Sequence, residues 1–307
     1  MFEGIKNAGA LFAVIARIPL RYPVMIAPLL LVWCIYAPVT AYLYFQFPWN
    51  ETPLPAALAL TFATLFLFSY VISLAAFVLL EQIRIVENGG EPGLLWPFFT
   101  AFWNSLRSLH VTLVWALLWF ILTIAEAALR PKQEGHAQEP TAENMARLFS
   151  GADNTSSIGA LFDALNKGVR MIAFLIYPAV AWERHTQPIR RGLAVGRAHK
   201  IEFATGFVLS GLAAGVVFVP PVIVFILNDQ TDVPFPDWIW FSVIVYCALA
   251  WSFMMLLEQL FAAELYLWDM KWRQACEAAE AASKPTPPLS AVPRPSILDG
   301  KADLLPG

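Results

Sequence analysis

The sequence predicts an all-α integral membrane protein with six transmembrane helices, and three observations carry that prediction. Hydrophobic residues fill 58% of the 307 positions and charged residues only 14%, outside the balance of an ordinary soluble domain. Six apolar stretches approach the roughly 20 residues that a helix needs to cross about 30 Å of hydrocarbon. The 20 Lys and Arg residues then divide unevenly between the segments that join those stretches.

Residues 1–20 set Ile5, Leu11, Phe12, Ile15 and Ile18 among Lys6 and Arg17, with Arg21 just beyond. That spacing predicts an interfacial amphipathic helix. Pro19 and Pro23 break it before the first span, about 24–46. A loop without basic residues leads to the second span, about 57–80, and the Asn88–Gly93 stretch is a turn by composition. Leu94–Ser108, with Trp96, Phe98, Phe99, Phe102 and Trp103 beside Asn104 and Arg107, predicts a second interfacial helix before the third span, about 109–128.

Residues 129–162 form a polar outer loop with a short helix around 142–150. The fourth span, about 163–182, has to take in Lys167 and Arg170 to reach full length. Arg184–Lys200 supplies five basic residues around Ile189, Leu193 and Val195, a third interfacial segment. The fifth span, about 203–227, contains Gly211-x-x-x-Gly215, a spacing that permits close helix packing. The sixth span, about 237–257, continues as helix towards 283, and the Pro-rich residues 284–307 are expected to be a disordered tail.

With the N-terminus inside, fifteen basic residues fall on inner segments and five on the outer side: Arg130, Lys132, Arg147, Lys167 and Arg170. This agrees with the positive-inside rule and sets both termini in the cytoplasm. The three cysteines, Cys34, Cys247 and Cys276, show no metal or redox spacing and are expected to stay unpaired.

One tetrapeptide occurs twice. Leu79-Leu80-Glu81-Gln82 returns as Leu256-Leu257-Glu258-Gln259, each followed six residues after its glutamate by another, Glu87 and Glu264. Each copy closes an apolar run opened by an acidic-x-Pro-x-Pro turn, Glu51 to Pro55 and Asp232 to Pro236. A diverged counterpart, Ala181-Trp182-Glu183-Arg184, ends the fourth span. The expected unit is an interfacial helix, an outward span, a loop and an inward span ending in glutamate, three times over, as in parallel membrane repeats.

Glu81, Glu183 and Glu258 are therefore candidate carboxylates at the inner mouth of a bundle, able to attract cations or hold protons. The plainer reading sets these glutamates at headgroup level, paired with Arg84, Arg184 or a neighbouring interfacial helix. Arg170 lies about 20 Å deeper than Glu183, and Glu126 comes to a similar depth on the neighbouring span. This predicts an intramembrane ion pair of Glu126 with Arg170 or Lys167, with snorkelling as the alternative. Ser69, Tyr70, Ser73, Tyr246 and Ser252 could line a polar path or join helices by hydrogen bonds. His110, His136, His185 and His199 are scattered, and no metal, nucleophile-elbow or phosphate-loop motif occurs.

The exit from Glu87 to Gly93, the Tyr177-Pro178 run ending in Glu183, and Phe261-Ala262-Ala263-Glu264-Leu265-Tyr266 resemble a class of bacterial inner-membrane proteins. Those proteins repeat a unit of one amphipathic helix and a membrane hairpin. The resemblance implies the fold and the bacterial inner membrane, and implies no activity. The function expected is non-enzymatic: scaffolding or assisting a membrane partner, or organising lipid. The alternative is a transporter or channel with the three glutamates near its cytoplasmic mouth. A lipid-modifying enzyme would need a nucleophile or metal that the motifs do not supply. The expected partners are the lipid bilayer and a membrane protein or second copy of the chain, with no nucleic acid and no cofactor.

Overall fold

A computed structural model describes residues 2–129, 141–150, 157–183, 186–231 and 234–292. Arg130, Lys132, His136, Arg184, His185, Asp232 and residues 293–307 lie outside the described residues. Within them the chain is helical and contains no strand. The helices are α1 (Phe2–Ile15), α2 (Ile18–Arg21), α3 (Ala27–Phe45), α4 (Leu54–Glu87), α5 (Leu95–Arg107) and α6 (Leu109–Leu129). The second half adds α7 (Ala142–Ser150), α8 (Ser157–Ala181), α9 (Pro188–Ala198), α10 (Lys200–Val217), α11 (Val219–Gln230) and α12 (Asp237–Ala281). Six segments are long and apolar enough to cross a membrane: Pro23–Phe45, Leu54–Glu87, Leu109–Leu129, Gly159–Ala181, Lys200–Val217 and Asp237–Ala281.

Local chemistry explains several of the boundaries. Pro55 sits in the first turn of α4, where its missing N–H costs nothing. At the other end Gly89 adopts φ +77°. Gly90 N donates to Ile85 O at 2.8 Å and Gly89 N to Val86 O at 3.0 Å, the paired bonds of a glycine-closed helix terminus. The fifth span is not one helix. It breaks at Phe218, ahead of Pro220 and Pro221, because Pro221 has no N–H to offer the carbonyl of Val217. Tyr246 Oη donates to that carbonyl at 2.7 Å instead.

α4 and α12 are far longer than a span. Their 34 and 45 residues correspond to about 51 and 67 Å, against about 30 Å of hydrocarbon. Their N-terminal halves expose apolar side chains, Leu54, Leu58 and Leu67 on α4 and Trp238, Phe241 and Leu249 on α12. Their C-terminal halves are enclosed: most residues in 72–83 and 254–268 are buried, as are most in 171–182 of α8. A helix apolar on every side has to be covered on every side. Here α8 packs on both α4 and α12, α3 packs on α4 and α12, α6 on α4 and α8, and α10 on α12.

The remaining helices complete the cover. α5 packs along α4, α9 along α8, and α1 along α10 and against α12. Two of these contacts are backbone-close: a Cβ on Gly192 would lie 2.7 Å from Ile176, and one on Gly206 would lie 2.2 Å from the Phe261 ring. Residues 284–292, expected as disordered tail, instead fold back on α12. Trp272 Nε1 donates to Pro287 O at 2.9 Å, Trp268 Nε1 donates to Val292 O at 3.3 Å, and Val292 is buried. Indole N–H groups on an apolar helix need acceptors, and this segment's carbonyls provide them.

Candidate functional site

Asp163, Lys167 and Arg170 follow one another at helical spacing and share one face of α8. That face turns into the bundle and lines a cavity of about 670 Å³ to which all six spans contribute. Glu258 enters from α12, and Trp115, Trp119 and Trp251 supply aromatic walls. Phe207 and Gly211 of α10 line another side.

The charges are organised around Glu258, which is 2% exposed. Arg170 Nε donates to Glu258 Oε2 at 2.9 Å and Nη2 to Oε1 at 3.1 Å, a bidentate fork. Lys167 Nζ lies 3.7 Å from Glu258 Oε1, donates to the Phe207 carbonyl at 3.0 Å and sits 4.8 Å over the Phe207 ring. One carboxylate thus meets two cations, and the lysine also ties α8 to α10. In a medium where an unpaired charge is expensive, this pairing lets all three persist.

The pairing of Arg170 and Lys167 differs from the one expected with Glu126. Arg170 and Lys167 both turn to Glu258, while Glu126 lies near the far end of α6. The span ends alone set Glu258 at the inner boundary, level with Glu183. In the structure α12 is shifted along α8, so that Glu258 stands opposite Arg170. The chain just past the end of α8 meets α12 again where Arg273 pairs with Glu183. Arg273 lies fifteen residues beyond Glu258 on α12, or about 20 Å.

The three span-end glutamates consequently do not share one mouth. Glu81 pairs with Arg84 at 2.8 Å and accepts from Asn104 Nδ2 at 3.3 Å, fastening α5 to α4. Glu183 pairs with Arg191 at 3.0 Å and with Arg273. Gln259 Nε2 donates to the Ala76 carbonyl, so the second copy of the repeated tetrapeptide stands level with residues just before the first. Among the hydroxyls, Ser73 bonds Tyr177 and accepts from Thr112 at 3.2 Å, and Trp33 Nε1 donates to Ser252 at 3.0 Å. These join helices.

Gly211 and Gly215 do not form a helix seam. A Cβ on Gly211 would face Lys167 Nζ at 3.3 Å across the cavity, and one on Gly215 would meet nothing within 4 Å. The spacing finds a smooth helix face, and here that face borders the cavity and open space. The glycine of close contact on α10 is Gly206.

A second polar cluster, not anticipated from the sequence, lies where α8, α9 and α12 meet. Asp269 accepts from Arg191 Nη2 at 2.6 Å and from Arg273 Nε at 3.1 Å, and lies 2.9 Å from His199 Nε2. Arg191 also stacks over Tyr266 at 4.9 Å. Burial acts to raise the Glu183 carboxyl, yet the Arg191 hydrogen bond and the Tyr266 hydroxyl, together with the charges of Arg191 and Arg273, hold it below its ordinary value of 4.5. Burial likewise opposes the Arg191 charge, and Glu183 and Asp269 overcome it, raising the Arg191 pKa. Only the Asp269–Arg273 spacing of four residues hinted at this cluster, and that spacing alone equally describes a solvated helix face.

Among the described residues no three His, Cys, Asp or Glu side chains converge as a metal would require. What the cavity offers is paired charge beside indole rings, in a volume typical of small-molecule sites. No protein-family model matches the chain, and neither curated proteins nor solved structures show significant similarity to it.

Proposed function

We propose that the protein is a non-enzymatic multi-pass membrane protein that takes a small charged or zwitterionic solute into its six-span cavity, as a transporter does. The observation that carries this reading is the meeting of Lys167, Arg170, Asp163 and Glu258 with three tryptophans in a space of about 670 Å³. Ionisable groups in membrane spans face cavities, pair with one another and mark substrate paths. Glu258 is then the one span-end glutamate that meets the solute, while Glu81 and Glu183 hold helices together. Gly211→Leu tests this, since its side chain would enter the cavity beside Lys167. Solute co-purifying with the wild-type protein should be lost from that variant while its far-UV helical signal is kept. Equal retention by the two proteins would refute the reading.

A scaffolding role is the second reading, and α5 favours it. Leu95, Trp96, Phe99 and Trp103 stand outward, between 64% and 80% exposed, while Pro97, Ala101, Asn104 and Ser105 face α4. A stoichiometric membrane partner in gently extracted protein, lost on Trp96→Ala with Trp103→Ala, would support it.

The layout supports a finer proposal: α1, α5 and α9 are interfacial amphipathic helices, and the chain is three related units in the bacterial inner membrane with both termini cytoplasmic. Each such helix lies on the inward span of the preceding unit, α5 on α4, α9 on α8 and, closing the circle, α1 on α12. The stagger of the three glutamates measures how far the units have diverged. Proteolytic access to tags at the two ends of the chain, in oriented vesicles, tests the sidedness.

A further inference from the structure

Where α9 crosses the start of α6, a recess of about 480 Å³ is lined by His110, Gln187, Arg190, Leu193 and Arg197. Arg190, Leu193 and Arg197 stand three and four residues apart, so they share one face of α9. That face is distinct from the buried one, where Arg191 is committed to Glu183 and Asp269. Arg190 reaches only Gln187, at 3.5 Å, and no carboxylate pairs with Arg190 or Arg197 among the described residues. The recess is therefore cationic and uncompensated.

A second cavity, of about 230 Å³, continues from it. Its walls are apolar: Val111, Val114 and Leu118 on α6, Ile172 and Ile176 on α8. Ile189 and Leu193 belong to both cavities. From His110 to Leu118 the groove follows α6 for about 12 Å, most of the depth of one leaflet of about 15 Å. A charged end at the helix terminus and an apolar trough running inward reproduce the division of a lipid into headgroup and chain.

We propose that this composite cavity is a specific site for one anionic phospholipid. Its phosphate sits between Arg190 and Arg197, with His110 across the recess, and one acyl chain lies in the groove between α6 and α8. Two uncompensated guanidinium groups prefer a headgroup of net negative charge over a zwitterionic one, whose own ammonium they repel. The site rests on the six helices crossing a bilayer, and it is independent of any solute in the central cavity.

The test uses the full chain in nanodiscs of phosphatidylcholine containing a minority of phosphatidylglycerol, with retained lipids counted by native mass spectrometry after release. Wild-type protein should retain one phosphatidylglycerol in preference to phosphatidylcholine. Arg190→Gln with Arg197→Gln, both exposed and outside the core, should cut that preference roughly ten- to thirty-fold. Leu193→Trp, which fills the junction of recess and groove, should abolish retention with both arginines still present. An unchanged preference in the double variant overturns the proposal. So does thermal stabilisation by inorganic phosphate that matches the lipid's, because the recess would then take a free anion and the groove would have no part in it.

Discussion

Glu258 is the residue on which the cavity's charge balance turns. Replacing it with Gln removes the carboxylate that Arg170 and Lys167 share. Breaking a buried pair from one side typically costs about 3–5 kcal/mol, so the variant should unfold at clearly lower denaturant in detergent. Changing all three residues to Leu or Met should recover most of that loss, and a triple variant as unstable as Glu258→Gln would contradict this account. Glu183 makes a different forecast. Its folded pKa is depressed, so its contribution is fully present above 4.5 and drains as pH falls through the lower folded value. The thermal midpoint should therefore fall as pH drops below about 4.5, and Glu183→Gln should remove that part of the dependence. A variant that tracks the wild-type curve would show that Glu183 contributes nothing to acid sensitivity.

At the scale of elements, one hydroxyl satisfies the carbonyl that the α10–α11 break sets free. Tyr246→Phe leaves the Val217 carbonyl without its donor, at a cost of about 1 kcal/mol. In a Pro221→Ala background residue 221 regains an N–H, and the same change should cost less. A double-mutant cycle with no coupling would disprove the link.

The six apolar stretches were legible because a span needs only length and hydropathy, and Pro23, Pro55 and Gly89 mark ends by chemistry acting within a few residues. The register of α12 against α8 was not legible. It follows from which side chains fit between helices, and moving Glu258 opposite Arg170 undid the pairing argued from depth. Gly211 and Gly215 failed for a related reason, since spacing identifies a face without its neighbour. Arg191 comes from α9, His199 from the junction of α9 and α10, and Asp269 from α12, and nothing in their separations of 8 and 70 residues announces that they meet.

For the molecule as a whole, the segment after α12 contributes to the fold. Removing residues 284–307 strips Trp268 and Trp272 of their acceptors and uncovers the apolar face beneath Val292. The truncated protein should lose about 1–3 kcal/mol of stability and become sensitive to proteases within α12. Unchanged stability would mean that the segment merely rests there. The two ion-pair rungs that α12 makes, one with α8 and one with the chain just past its end, bear on how such a molecule can move. Helices joined at one point can swivel, but joined at points about 20 Å apart they turn only as a unit, and sliding by a single turn would sever both rungs together. α8 and α12 are thus braced as a frame, while α10, tied to α8 by Lys167 and parted from α11 at Phe218, takes no part in either rung.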